Sequence, residues 1–155
     1  MIATCKGWTW APAKPSIAPQ QIKADVSARA RDLIDSQLKQ THIKPPPKGP
    51  KFNYLVDISA KWHGHFFYFV SKYACPGPNA MSPFFESGFA RLEYQSSGTF
   101  HLAYMRHTGR WWQVYADLSI QEAMNIIVED QLFQPSEQPS RDKAMKSVGF
   151  HRSGG

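Results

Sequence analysis

Apolar residues recur at spacings of three and four between Ile22 and Leu38, through Val26, Ala30, Leu33 and Ile34. On a 3.6-residue turn these positions fall on one stripe, so the pattern predicts an amphipathic helix over 18–40. Ser16 is placed to cap it, and Pro19 is tolerated in a first turn. The helix must stop before KPPPKGP (44–50), because proline has no N–H to donate and pushes the residue before it to extended geometry. That run reads as a stiff connector. A second stripe, Ile120, Ala123, Met124, Ile127, Val128 and Leu132, predicts a helix over 119–133. Ser119 with Glu122 fits a capping box at its start, and Pro135 limits its end.

Between the helices the period changes to two. FNYLVDI (52–58) alternates, with Phe52, Tyr54, Val56 and Ile58 on one face. SAKWHG (59–64) interrupts the alternation and reads as a loop. HFFYFVSKY (65–73) is apolar on both faces, with Phe67 and Phe69 one way and Phe66, Tyr68 and Val70 the other. That suits a covered interior strand. ACPGPNAMSP (74–83) holds three prolines and cannot be a ladder strand. GFARLEYQ (88–95), TFHLAYMR (99–106) and RWWQVYA (110–116) are joined by SSG and HTG, three-residue connections ending in glycine, the pattern of a tight hairpin with a bulge.

These hairpins set a register. Arg106 faces Arg110, Tyr104 faces Trp112, Leu102 faces both Leu92 and Val114, and Tyr94 faces Phe100. Cross-strand neighbours share a face, so Ala90, Leu92, Tyr94, Phe100, Leu102, Tyr104, Trp112 and Val114 form a core face. Arg91, Glu93, His101, Ala103, Met105, Trp111, Gln113 and Tyr115 form a mixed polar and aromatic one. The fold class that follows is α+β: a five-stranded antiparallel meander over 52–116, with an N-terminal and a C-terminal helix packed on one face. A single domain, 16–133, is flanked by an irregular arm (1–15) holding Trp8 and Trp10 and by a polar tail (134–155) that reads as flexible.

Composition adds little to this until charge is mapped along the chain. The 155 residues carry a formal charge of +6. Residues 1–51 hold nine Lys and Arg against three acids, whereas 52–133 hold five against seven. The basic excess therefore lies in the arms, where it can attract polyanions. No apolar run is long enough to span a membrane and no signal-peptide pattern opens the chain, which places the protein in the cytoplasm. Cys5 and Cys75 match no paired or metal-ligand spacing and read as reduced thiols.

Candidate chemistry is sparse. His63 and His65 flank Gly64, but a zinc site needs three or four converging ligands, and the loop tip of a hairpin accounts for this pair. Cys75 precedes Pro-Gly-Pro and has no helix N-terminus to activate it. Glu93 opposite His101 reads as an ordinary cross-strand contact. No phosphate loop is present, and no cofactor or metal is expected. The mixed face is the strongest lead: Arg91, His101, Met105, Trp111, Gln113 and Tyr115, rimmed by Arg106 and Arg110. Aromatic platforms beside cations bind single-stranded nucleic acid. The competing reading is that the arm or a helix covers this face as a second small core. The sequence thus points to a small non-enzymatic binding module, with its ligand on the aromatic and polar face beside the basic helix. Single-stranded nucleic acid or an acidic protein partner is the expected ligand. The alternatives are a protein–protein adaptor, an enzyme of unrecognised type using His63, His65 and Cys75, and a conjugated carrier ending in Gly154 and Gly155.

Overall fold

The computed structural model describes residues 14–45, 53–77 and 82–135. Cys5, Trp8, Trp10, most of the proline connector, Phe52 and nearly all of the tail with Gly154 and Gly155 lie outside the described residues. The expected stripe forms helix α1 (Gln20–Leu33), which continues through one π-helical stretch (Ile34–Leu38) into a last turn, α2 (Lys39–His42). Val26, Ala30, Leu33, Ile34 and Leu38 are its buried positions. Ile34 and Leu38, four residues apart, stay on the buried side through the π-helical stretch. Ser16 does not cap this helix: its N–H donates to the Tyr94 carbonyl at 3.0 Å. Pro15 forms a bridge with Gln95, which ties the entering chain to the sheet and leaves Pro19 at the cap position.

Five strands follow: β1 (Tyr54–His63), β2 (Phe66–Ala74), β3 (Phe84–Tyr94), β4 (Phe100–Met105) and β5 (Trp111–Leu118). They form one antiparallel sheet in the order β1-β2-β3-β4-β5, a meander as the sequence predicts. Boundaries differ from those expected, and β3 begins at Phe84, four residues before Gly88. SAKWH is not a loop but the second half of β1, and the turn shrinks to Gly64 and His65, with Gly64 at φ +61°. A bulge at Val56 also moves Leu55, not Val56, onto the buried side with Ile58. Alternation broken by one bulged residue reads in sequence as the end of a strand. At SSG and HTG the expected reversals form, with Gly98 at φ +87° and Gly109 at φ +82°. The Arg106 N–H donates to the Arg110 carbonyl at 2.9 Å and closes the second hairpin.

One face of the sheet carries the main core. Across it run the rows Ala60, Phe69, Ala90, Tyr104, Trp112 and Trp62, Phe67, Leu92, Leu102, Tyr115. Val26, Ala30, Leu33, Ile34 and Leu38 of the first helical stretch and Ala123, Met124, Ile127 and Phe133 from the C-terminal end pack against it. Two of the expected core positions fail. Val114 is the extra residue of a bulge, so Leu102 faces Tyr115 instead, and Val114 is exposed. Trp112 does share the face of Tyr104, but on an edge strand it is 53% exposed.

Helix α3 (Ile120–Glu129) begins with the predicted capping box. The Glu122 N–H donates to Ser119 Oγ at 3.1 Å and the Ser119 N–H donates to Glu122 Oε1 at 2.9 Å. The backbone bond from Ser119, then its side-chain bond, hold the Glu122 carboxyl below the usual carboxylate range. A short 3₁₀ turn (Gln131–Phe133) then inserts Phe133 beside Tyr104 and Tyr115. We expect Ser119→Ala to cost about 1 kcal/mol in urea unfolding, through the lost cap. Because the folded pKa of Glu122 is depressed, its contribution is complete above the ordinary carboxylate pKa and disappears as pH falls through the lower, folded value. Glu122→Gln should therefore flatten the acid side of the stability profile, read by urea midpoints measured stepwise through the acid range.

Candidate binding site on the second sheet face

The opposite face is built from three rows. His63, Phe66, Glu93 and His101 make the first, and Lys61, Tyr68, Arg91, Ala103 and Gln113 the second. Ser59, Val70 and Gly88, with the Met105–Trp111 pair at the β5 end, make the third. Tyr68, Val70, Ala103 and Met105 are buried, yet none belongs to the main hydrophobic cluster. This face therefore has a small interior of its own.

Arg91 lies at its centre. The guanidinium sits over the Phe66 ring, 4.2 Å from its centroid, and 5.1 Å from the Trp111 ring. Such contacts are favourable because the ring faces are electron-rich. The Nε–H of Arg91 is buried and has no acceptor. Burial drives the Arg91 pKa down, opposed by Tyr68 and Glu93, although a guanidinium stays charged regardless. Tyr68 feels the same desolvation, and its hydroxyl pKa is raised despite the neighbouring Arg91.

Trp111 closes the arrangement. It belongs to the edge strand β5, but its ring reaches Tyr68 on β2, at 5.6 Å between centroids. On the way it rests on Gly88 of β3: a Cβ there would lie 3.0 Å from the indole Cζ2. The side chain thus lies along the face rather than standing off it, and Gly88 supplies the necessary room.

The histidines have other work. His65 Nε2 pairs with Glu93 Oε2 at 3.0 Å, and its ring lies tilted against Phe66, 4.1 Å between centroids. Glu93 does stand opposite His101, as the register predicts, but its partner is His65. His101 Nδ1 instead accepts the Asp117 N–H at 3.3 Å. Asp117 is the one described residue other than glycine with positive φ, at +56°.

Of the sequence candidates, the structure gathers Arg91, Met105, Trp111 and Gln113 with His101 on one face. Met105 is buried and is a support rather than a contact. Tyr115 is on the other side: the bulge at Val114 turns it toward the core, where it packs on Phe133 and its hydroxyl donates to Asp130 Oδ2 at 3.1 Å. Arg106 and Arg110 close the β4–β5 hairpin, and the Arg106 guanidinium lies 4.7 Å from the exposed Trp112 ring. Sequence reasoning missed Tyr68, Phe66 and His65 as members of the face, although the two-sided apolar pattern of β2 carried that signal.

The basic helix is not part of this site. α1 packs against β1, at the sheet edge away from Trp111. Several of its cations are already engaged: Arg29 with Asp25 at 3.0 Å and with Gln121, Lys39 with Asp35 and Asp57, and Lys23 over the Trp62 ring. His65 and Cys75 are also held apart, at opposite ends of β2. Nine extended residues put them about 30 Å from each other. Among the described residues no three His, Cys, Asp or Glu side chains group as metal ligands, and no helix is long and apolar enough to cross a membrane.

Fold and site together define an α+β domain whose sheet is covered by helices on one side and by its own cationic and aromatic side chains on the other. Residues 17–135 match the model of DUF3024, a domain of unknown function, and the chain belongs to that family. Neither curated proteins nor solved structures give a match.

Arg91 is a costly choice if stability alone is at stake, since a buried unpaired donor loses about 1–3 kcal/mol. We expect Arg91→Met, which keeps an apolar stem between the rings, to leave the urea midpoint unchanged or higher. A loss above about 2 kcal/mol would show that the cation itself holds the face together.

Proposed function

We propose that this chain is a non-enzymatic binding module, working inside the cell, that takes single-stranded nucleic acid along the β4–β5 hairpin edge. The observation that carries this reading is Trp112. A tryptophan that is 53% exposed, with an arginine over its ring, is a stacking surface beside a cation. Arg110 stands at the same end, and no Asp or Glu occurs from Tyr94 to Ala116. Trp111, Gln113 and His101 lie around the edge on the second face, so a strand passing over β5 meets aromatic and hydrogen-bonding groups on both sides. Phosphates would be met by Arg106 and Arg110 and not by α1, whose cations are largely engaged elsewhere.

A second reading has its own support. Val114 and Leu132 are exposed apolar residues near the same edge, which favours a protein partner docking on β5. The two readings part on salt and on nuclease. For nucleic acid, anisotropy of a labelled single-stranded oligonucleotide should show affinity that falls steeply with salt. Replacing Arg106 or Arg110 by Ala should each reduce the log–log slope by about 0.7. Trp112→Ala should weaken binding by about 1–3 kcal/mol. Affinity that ignores salt and survives Trp112→Ala would remove the nucleic-acid reading. A partner retained from cell extract after nuclease treatment, and released by Val114→Asp, would favour the protein one.

A further inference from the structure

The second face holds a different feature, independent of the hairpin edge. Arg91 presents a planar fork of N–H donors, and its Nε–H is buried without an acceptor. The groups around it do not supply the missing acceptor. Phe66 and Trp111 offer ring faces, at 4.2 and 5.1 Å. The Tyr68 hydroxyl bonds to the guanidinium but does not reach the Nε–H. Glu93, the acid that attracts Arg91 electrostatically, is bonded to His65 at 3.0 Å.

What closes the fork is a side chain with somewhere to go. Trp111 is on an edge strand, and its indole is pressed onto the bare backbone of Gly88. A ring that lies over a glycine is held by contact alone and can slide without breaking the ladder beneath it. We propose that Trp111 is a lid on an oxyanion site, and that Arg91, once uncovered, takes a carboxylate or phosphoryl group in the plane of its guanidinium through Nε–H and one terminal N–H. Such paired N–H···O⁻ contacts are the strong form of arginine recognition. They also give the unpaired donor its acceptor. Glu93 opposes the incoming charge, and closure by Trp111 reduces the competent fraction, so the affinity is weak in the resting protein.

The side-chain Nε–H resonance of Arg91 reads this directly in ¹⁵N-labelled full-length chain, assigned by its loss in Arg91→Lys. Sodium acetate and sodium phosphate are titrated separately at constant ionic strength, balanced with chloride. The resonance should move and saturate with at least one of them, and which one responds separates carboxylate from phosphoryl recognition. Gly88→Ala places a methyl 3.0 Å from the indole, so it should displace the lid and tighten the apparent affinity about fivefold. Trp112→Ala, which tests the nucleic-acid reading, should leave this anion response intact. The proposal is overturned if neither anion moves the resonance in wild type and Gly88→Ala, or if the two proteins respond with equal affinity.

Discussion

A strand that is apolar on both faces has to be covered twice, and this constraint organises the molecule. β2 places Phe67, Phe69 and Tyr73 on one face and Phe66, Tyr68 and Val70 on the other. Helical residues join the core on only one of them. Leaving the second set in water would forfeit about 1.5–3 kcal/mol for each large side chain. The sheet resolves this with its own side chains: Arg91 lays its stem and guanidinium along Phe66, and Trp111 reaches inward from the edge to Tyr68. The cover is thin and includes a charge, which is why the second face is both buried and chemically distinctive.

That choice has a visible cost in polar satisfaction. A core made only of apolar residues leaves nothing unpaired, whereas the cation at the centre of this face leaves one donor without an acceptor. Native interiors rarely tolerate such groups without reason. The same arginine also sets its neighbours. Its charge opposes the rise that burial imposes on the Tyr68 hydroxyl. Tyr73, on the helix side, is pushed up to about 12 by burial, against an opposing hydrogen bond with Ser71.

Much of this architecture was legible in the residues, for a definite reason. Helices announce themselves by stripes, and the Ser119–Glu122 cap and the glycine-closed hairpins are short-range signals whose geometry depends on a few adjacent residues. The register of β3 against β4 followed correctly from SSG alone, down to Glu93 opposite His101. What escaped were the bulges. At Val56 and Val114 one inserted residue exchanges the faces of its neighbours, so Tyr54 and Tyr115 lie on the side opposite to the one that plain alternation predicts. Nothing in an isolated valine marks it as the extra residue. Face membership could be read for β2, but not which of its faces the helices would choose, because that depends on where the proline connector and the last strand deliver them.

The bulge at Val114 also explains how one edge strand does two jobs. Before it, Trp111 and Trp112 point to opposite faces as alternation requires, one inward over Gly88 and the other into solvent under Arg106. Without the extra residue, Val114 would stand opposite Leu102 and Tyr115 would fall on the second face with Trp111. With it, Tyr115 turns to the helix side, where Phe133 and Asp130 hold it. The far half of β5 is thereby anchored to α3 and its 3₁₀ turn, and the near half is left as a short projecting hairpin rich in arginine and tryptophan. The packing of Tyr115 on Phe133 and its hydrogen bond to Asp130 thus fix the strand just behind the cationic and aromatic hairpin. The division is made by a single residue of backbone: the bulge at Val114 exposes that residue and turns Tyr115 to the helix side, whereas Trp112, ahead of it, is exposed because it lies on an edge strand.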